Sequence, residues 1–548
     1  DGNIVIKAEG SLSSAGLRKT YPAPAMQRLS ERITGSTRYS ASISIKKKRP
    51  EIVVESSMQG MAIDFPAPLR KAANESLPLK FELTALPADD AAATRDEMKL
   101  SLGPAIAARY LRQKSLEKNA AWRVVRGGIG VNVPAPQPDS GLTATVNLKA
   151  LNIDAWSNAV TSIVGSDKQK SAGAASTPDA LNIAQYIEPE VLAARATELL
   201  VVGKKLDNVV VGASHQKGVW QANIDSEQAS GYVTWNEGAA GQGLGKASAR
   251  LASLIIPKSA ASDVTDLLEG KHASTQIPGL DIVAENFELF GKKLGRLELV
   301  ANNVAASATS EWRISKLSLV NADAELKATG KWSTKEGESI SNLVYALEIG
   351  NAGKLLERFG FSNVLRGGKG KMDGDISWKG LPFSLDIPSL SGQFKLDVAA
   401  GQFLKVDPGA AKLLGVLSLQ ALPRRLALDF RDVFSEGFSF DGIAATANIA
   451  QGVVKTDNFK MRSVNATVLM DGTADIAKES QNMHVVVLPE INAGAASVVY
   501  ALAVNPLIGV GSFLAQLFLR EPLIRAFTYE YKITRSEARR VGSEGRSR

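Results

Sequence analysis

The chain has 548 residues, no cysteine and a formal net charge of +8, with aromatic residues at 6% of the total. The missing thiols exclude disulfides and thiolate metal sites. Three of the eight net charges fall in the tail 535–548, which holds five Arg against two Glu, so the body is only mildly basic. Neither that charge nor so few rings suits a nucleic-acid surface, and no nucleic-acid partner is expected.

The sequence begins Asp1-Gly2, without an initiator Met, basic leader or apolar signal segment, and reads as a fragment or mature portion. Period-2 alternation starts at Ile43 and Ile45, just before the basic run Lys46-Lys47-Lys48-Arg49, which fits a solvated strand end or turn. Pro134–Ser140 reads as a loop. From Leu142 to Ala150 the alternation is cleanest: Leu142, Ala144, Val146, Leu148 and Ala150 face one way, Thr143, Thr145, Asn147 and Lys149 the other. Asp154–Val164 is a candidate helix, Gly165–Ala180 a low-complexity loop, and Glu188–Leu200 reads as a helix with Pro189 near its start. Alternation returns at Leu297 and Leu299, at Ala324, Leu326 and Ala328, and at Phe394, Leu396 and Val398. It continues at Ile443–Ile449, Phe459–Met461 and Val464–Met470. Short helices are expected at Lys354–Phe359 and Ala410–Leu419. Gly, Asn and Asp punctuate the strands about every 8–12 residues, as hairpin meanders require, so the sheet should be antiparallel with one apolar face. Trp235, Trp332 and Trp378 each stand where a strand meets a turn, a weak internal repeat of hairpins.

Ile491–Leu519 carries no charged side chain over about 29 residues, with Asn505-Pro506 in its middle. Proline breaks the run into two apolar helices of about 12–14 residues, each too short to cross ~30 Å of hydrocarbon alone. Strands expected at Met483–Leu488 and Phe527–Thr534 make it a helical hairpin that leaves the sheet and returns. Two readings stay open: a packed pair plugging one end of the sheet, or a hairpin touching a membrane. In the second, the contacts are Val498, Val499, Leu502, Leu507, Ile508, Phe513, Leu514, Leu517 and Phe518.

Catalytic chemistry is poorly supplied. His215, His272 and His484 are the only histidines and none has a second His at metal spacing; His484, within a strand, reads as a satisfied or edge residue. Gly241–Ser248 ("GQGLGKAS") departs from a phosphate loop at Ala240 and Ala247 and reads as a glycine loop. Asp429 and Asp432 read as a structural pair. No catalytic residue, metal or cofactor is expected, and the protein is not expected to be an enzyme.

Two dozen or so half-apolar strands with few helices can form stacked sandwiches, a closed barrel or a curled groove. A membrane barrel needs even strands and aromatic girdles, which are missing here. Leu422–Gly442 reads "LPRRLALDFRDVFSEGFSFDG", followed by "IAQGVVKTDNFKMRSVNATVLMDGTADI" from Ile449 and "VVVLPEI" from Val485. With "FPAPLRK" at Phe65–Lys71, "LNIDAW" at Leu151–Trp156 and "SWKGLPFSL" at Ser377–Leu385, this resembles the C-terminal portion of the YhdP family, in the AsmA-like superfamily that includes TamB. The resemblance runs to Thr534. Beyond it "RSEARRVGSEGRSR" lacks alternation, which fits a frame error or appended sequence and puts the family's last strand in doubt.

The resemblance implies a mostly β protein: an elongated, curled antiparallel β-groove of repeated hairpins, with few short helices and a C-terminal apolar helical hairpin. It implies a phospholipid carrier of the Gram-negative envelope, anchored in the inner membrane by an N-terminal helix missing here, crossing the periplasm and reaching the outer membrane's inner leaflet. The expected divisions are groove segments at 1–235 and 236–420, AsmA-like strands at 421–490, the hairpin at 491–526, a closing strand at 527–534 and a non-native tail at 535–548. Acyl chains are expected against Leu142, Val146, Leu148, Leu297, Leu299, Leu326, Phe394, Leu396, Val398, Phe438, Phe440 and Ile449. The rival reading is a periplasmic scaffold that assembles outer-membrane proteins by strand addition.

Overall fold

A computed structural model describes the chain except residues 1–3, 21–23, 47–48, 88–92, 118–119, 165–183, 202–203, 239–244, 258–277, 307–308, 336–337, 381, 383–384, 405–438, 465, 479, 490–508, 521–527 and 536–548. It divides into two units, Asp1–Gln242 and Gly243–Arg548. Each is dominated by one mostly antiparallel sheet.

The first unit holds β1 (Ile4–Ser13), β2 (Ile33–Lys46), β3 (Arg49–Ser56), β4 (Met61–Ile63), β5 (Leu79–Leu86), β6 (Ala93–Leu102) and β7 (Ile106–Ser115). It continues with β8 (Arg123–Val131), β9 (Gly141–Asn152), β10 (Val191–Val201), β11 (Lys204–Gln216), β12 (Val219–Asp225) and β13 (Ala229–Asn236). Its helices are α1 (Ser14–Thr20), α2 (Pro24–Glu31), α3 (Ile153–Val164) and α4 (Ala184–Ile187). Hydrogen bonding runs β1-β2-β3-β5-β6-β7-β8-β9-β10-β11-β12-β13, antiparallel except for the parallel pairs β8/β9 and β9/β10. The short β4 pairs back on the start of β2. Parallel neighbours need crossovers. The β8–β9 crossover is the proline-rich 132–140, laid against the backbone of β8: a Cβ at Gly128 would stand 1.8 Å from the Pro136 carbonyl oxygen, and one at Gly130 2.2 Å from that of Val133. The glycines are there because nothing larger fits beneath the crossing chain. The β9–β10 crossover carries α3 onto the opposite face, where Ile153 and Trp156 pack over Leu151, Ala194, Ala196, Leu199 and Val209.

One expectation fails outright. Glu188–Leu200, read as a helix, contains strand β10, which pairs with β9 on one side and β11 on the other. Ala, Leu, Arg and Glu favour helix only weakly, and two partner strands outweigh that preference. Asp154–Val164 and Lys354–Phe359 do include helices, α3 and the first helix of the second unit, α5 (Ala352–Arg358), capped by the Asn351 side chain accepting from the Lys354 N–H. Ala410–Leu419, Gly165–Ala180, His272, Asp429 and Asp432 lie outside the described residues.

The second unit holds β14 (Lys246–Ile256), β15 (Gly279–Leu289), β16 (Lys292–Ala306), β17 (Thr309–Val320), β18 (Ala324–Lys335), β19 (Glu338–Ile349), β20 (Leu365–Gly367) and β21 (Gly370–Lys379). It continues with β22 (Ser391–Phe403), β23 (Ser439–Ala450), β24 (Val453–Arg462), β25 (Ala466–Asp475), β26 (Ser480–Pro489) and β27 (Tyr529–Arg535). Sequential neighbours pair throughout, with β14/β15 parallel, β19 joined to β21, and β20 on the end of β22. Register shifts interrupt the β15/β16, β16/β17, β17/β18, β23/β24 and β24/β25 pairings, and such bulges increase twist and bend the sheet. Helix α6 (Val510–Arg520) packs on β24 and β25.

Candidate functional site: a two-faced sheet

Antiparallel partners and parallel partners alike put paired residues on the same face, so the registers can be followed from strand to strand. In the first unit one line reads Ala8, Ala41, Val54, Phe81, Leu100, Ala108, Ile129, Ala144, Leu192, Ala213, Ala222, Val233: twelve strands, every residue apolar. The adjacent line, one residue along and on the other face, reads Lys7, Ser42, Val53, Glu82, Lys99, Arg109, Gly128, Thr143, Val191, Ser214, Gln221, Thr234. In the second unit the apolar line is Leu251, Ala284, Leu297, Leu319, Leu326, Leu347, Met372, Leu396, Ala445. Its polar neighbour is Arg250, Val283, Glu298, Ser318, Lys327, Ala346, Asp373, Lys395, Thr446. At ~4.8 Å per strand the twelve-strand line is about 50 Å long.

Ion pairs lace the polar face: Lys80 with Glu82 at 2.6 Å, Lys327 with Glu325 at 2.8 Å, Arg296 with Glu285 at 3.1 Å, and Lys316 with Glu298. A hollow of about 1090 Å³ over β16–β23 is lined mainly from this side, by Glu298, Lys327, Asp373 and Lys395 among others, and suits water better than acyl chains.

The expected groove residues fall into two groups. Leu297, Leu326 and Leu396 share the apolar line of the second unit, and Leu299 and Phe394 the parallel line Ala249, Ile282, Leu299, Leu317, Ala328, Tyr345, Gly374, Phe394, Ala447. Burial beside Asp375 and Asp373 pushes the Tyr345 hydroxyl up to about 12, so it stays neutral. Val146 and Leu148 are half-buried beneath α3. Leu297 and Leu299 are themselves buried, and the rest belong to packed clusters: Leu142 joins Ala108 and Tyr110, Ile449 joins Trp378 and Ile387, and Val398 and Phe440 join Met461, Val468, Met470, Met483 and Val485. Phe438 lies outside the described residues.

Of the expected membrane contacts, Val498, Val499, Leu502, Leu507 and Ile508 lie outside the described residues, as do the side chains of Leu517 and Phe518. Phe513 and Leu514 are buried in the protein itself, and the Lys460 ammonium stands 5.1 Å from the Phe513 ring centre. By register Lys460 shares a face with Leu469 and Val486, both fully buried, while Val468, Met470 and Val485 occupy the other face. Helix α6 therefore covers the back of the sheet, not its apolar trough. Among the described residues no helix is long and apolar enough to cross a membrane.

Sequence reading missed one cluster on the apolar face of the first unit. Asp96 and Arg112 are register partners in line with Met98 and Tyr110, and Arg112 donates to both Asp96 oxygens at 2.8 and 2.7 Å. The Arg112 guanidinium stacks 4.9 Å from Trp122 and donates to the Tyr186 hydroxyl at 3.2 Å. Tyr110 donates to the Tyr186 carbonyl at 2.8 Å, and burial pushes its own hydroxyl well above the usual tyrosine range. The group fastens α4 across β7 and β8. Its only sequence signal is two charges at positions whose alternation calls for apolar residues. His484, in contrast, sits on the polar face, Nδ1 3.0 Å from Asp471.

The chain matches the YhdP protein family over residues 1–534. It is 35% identical over 195 residues to the intermembrane phospholipid transporter YhdP of Escherichia coli (strain K12), an alignment covering 35% of this chain and 15% of that protein. The chain thus spans well under two thirds of that relative's length. A family match over residues 1–534, nearly the whole chain, makes this chain a member of the YhdP family.

Proposed function

We propose that this chain is a segment of a non-enzymatic phospholipid conduit of the Gram-negative envelope, in which acyl chains lie along the apolar face and head groups stay wet at the rim. The observation that carries this reading is the apolar line that crosses twelve strands without a polar residue while the line beside it is polar at most positions. Moving a two-chain phospholipid through water exposes on the order of 30 methylenes at ~0.8 kcal/mol each, roughly 25 kcal/mol. A surface that replaces water along the whole path removes most of that barrier, and one built of many similar small residues offers no single tight site, so lipid can slide. The similarity to a named phospholipid transporter supports the cargo. In the complete protein, an anchor in the inner membrane and a reach to the outer membrane's inner leaflet would put the two ends of the path at its source and destination.

A photo-reactive residue placed at Leu83 or Leu326 on the apolar face should cross-link phospholipid in cells, and one at Glu82 or Lys327 on the polar face should not. Equal labelling of both faces, or none on either, overturns the proposal.

A further inference from the structure

The tryptophans that recur at strand ends are brought together by register. Trp312 on β17 pairs with Trp332 on β18, Trp332 with Ser341 on β19, and Ser341 with Trp378 on β21. Four adjacent strands thus carry an indole–indole–hydroxyl–indole row. It lies on the apolar face, since Trp332 has the same parity as Leu326 and Ala328, near the strand ends and so at one rim of the trough. Indole is an apolar body with one polar tip, and it settles where an oily region meets a wet one.

The row is not fully satisfied among the described residues. Trp312 donates its indole N–H to the Pro278 carbonyl at 3.1 Å, and Ser341 its hydroxyl to the Gly380 carbonyl at 2.9 Å. Trp332 is 1% exposed, and its Nε1–H is buried with no acceptor among the described residues. Native structures rarely leave a buried donor unmet, because the loss of its water partners is not recovered. The first unit has an echo: His215, Trp220 and Trp235 are register partners on its apolar face, the first two rings stack at 4.6 Å, and His215 Nε2 is buried without a hydrogen bond, 3.6 Å from Glu237.

We infer that the Trp312–Trp332–Ser341–Trp378 row is the level at which the trough meets the polar part of its lipid, with the Trp332 indole N–H donating to an ester or phosphate oxygen. This rests on the conduit reading and adds to it a fixed depth for the cargo: hydrocarbon on the leucine line, glycerol and phosphate at the tryptophan rim. The row is closed, with Trp312, Trp332 and Ser341 each 1% exposed, so the oxygen meets the indole N–H only as the lipid parts the side chains around it.

The test uses the full chain labelled with ¹⁵N-indole, the Trp332 signal being the one absent from Trp332→Phe. Didodecanoyl phosphatidylglycerol should shift that signal and hexadecane, which has no acceptor, should not. Trp332→Phe, which keeps the ring, should weaken phosphatidylglycerol binding about tenfold, the loss of one hydrogen bond, and leave hexadecane binding unchanged. Phosphatidylglycerol that binds without moving the signal, or an equal response to both probes, overturns the inference and leaves the conduit standing. Failure of either probe to bind removes the conduit, and this inference with it.

Discussion

The apolar face is not the same everywhere. On β1 and β2 it lies open, with Ile6 56% and Ile43 39% exposed, and across β3, β5 and β6 the residues Val54, Phe81, Leu83 and Leu100 are half-buried. On β24–β26 it is shut: Met461 is 1%, Val468 2% and Val485 0% exposed. The alternating pattern is alike in both regions, so hydrophobicity does not decide which becomes a core. The difference is in what closes over the strands. Helix α6 covers the reverse of β24 and β25, those strands are buried on both faces, and Phe440, Met470 and Met483 fill the front. Helices α1 and α2 touch β1 and β2, yet Ile6 and Ile43 stay exposed; where no side chains close the front, the greasy surface is left for something else to cover.

That contrast can be broken in measurable ways. Val485→Asp buries a charge in the shut region and should cost at least about 5 kcal/mol, enough to prevent folding, read by loss of the cooperative thermal transition. Asp96→Ala strands the Arg112 charge beneath α4 and should cost about 3–5 kcal/mol in denaturant unfolding, whereas Asp96→Leu with Arg112→Met should recover most of it. If the pair instead proves dispensable alone, α4 is not held by it. Gly130→Val should cost about 2–3 kcal/mol by driving the crossover off β8, with Ile129→Val nearby costing under about 1.5 kcal/mol as the control. Ile43→Asp, in the open region, should leave stability within about 0.5 kcal/mol while lowering lipid cross-linking at Leu83 several-fold. A stability loss as large as that of Val485→Asp would mean the open region is core after all.

The smallest effect is one of pH. Burial holds the Lys460 ammonium below the usual lysine range of 10.5. The unfolded chain then binds the proton more readily than the folded one, so stability should rise as pH climbs from the lowered value towards 10.5, the penalty being present in full below that window. Lys460→Met should flatten the rise in unfolding curves taken from neutral to alkaline pH.

Much of the wall was legible in advance because a strand's period is two and these strands are wet on one side. Leu142–Ala150 alternates so cleanly that β9 could be drawn from the letters alone. The continuity of the apolar line was not legible, since it depends on how Ala144 pairs with Ile129 and Leu192, which no local pattern encodes. Glu188–Leu200 misled because its residues are tolerable in either state and the deciding partners come from distant segments. The apolar run ending in α6 was visible, but which side of the sheet would take Phe513 depends on Leu469 and Val486, apolar residues at positions that would otherwise be wet. Asp96 and Arg112 looked like ordinary surface charges until their register made them partners.

The crossing chain over Gly128 and Gly130 has a mechanical consequence. A ribbon made wholly of hairpins can creep by two residues per strand and still keep its oily side aligned, as a zip may close one tooth out. Three strands running the same way, with a rigid prolyl strap seated in a notch that only glycine leaves, admit no such creep. That knot of the first unit is a pin, and the alignment of every strand on either side of it is counted from there.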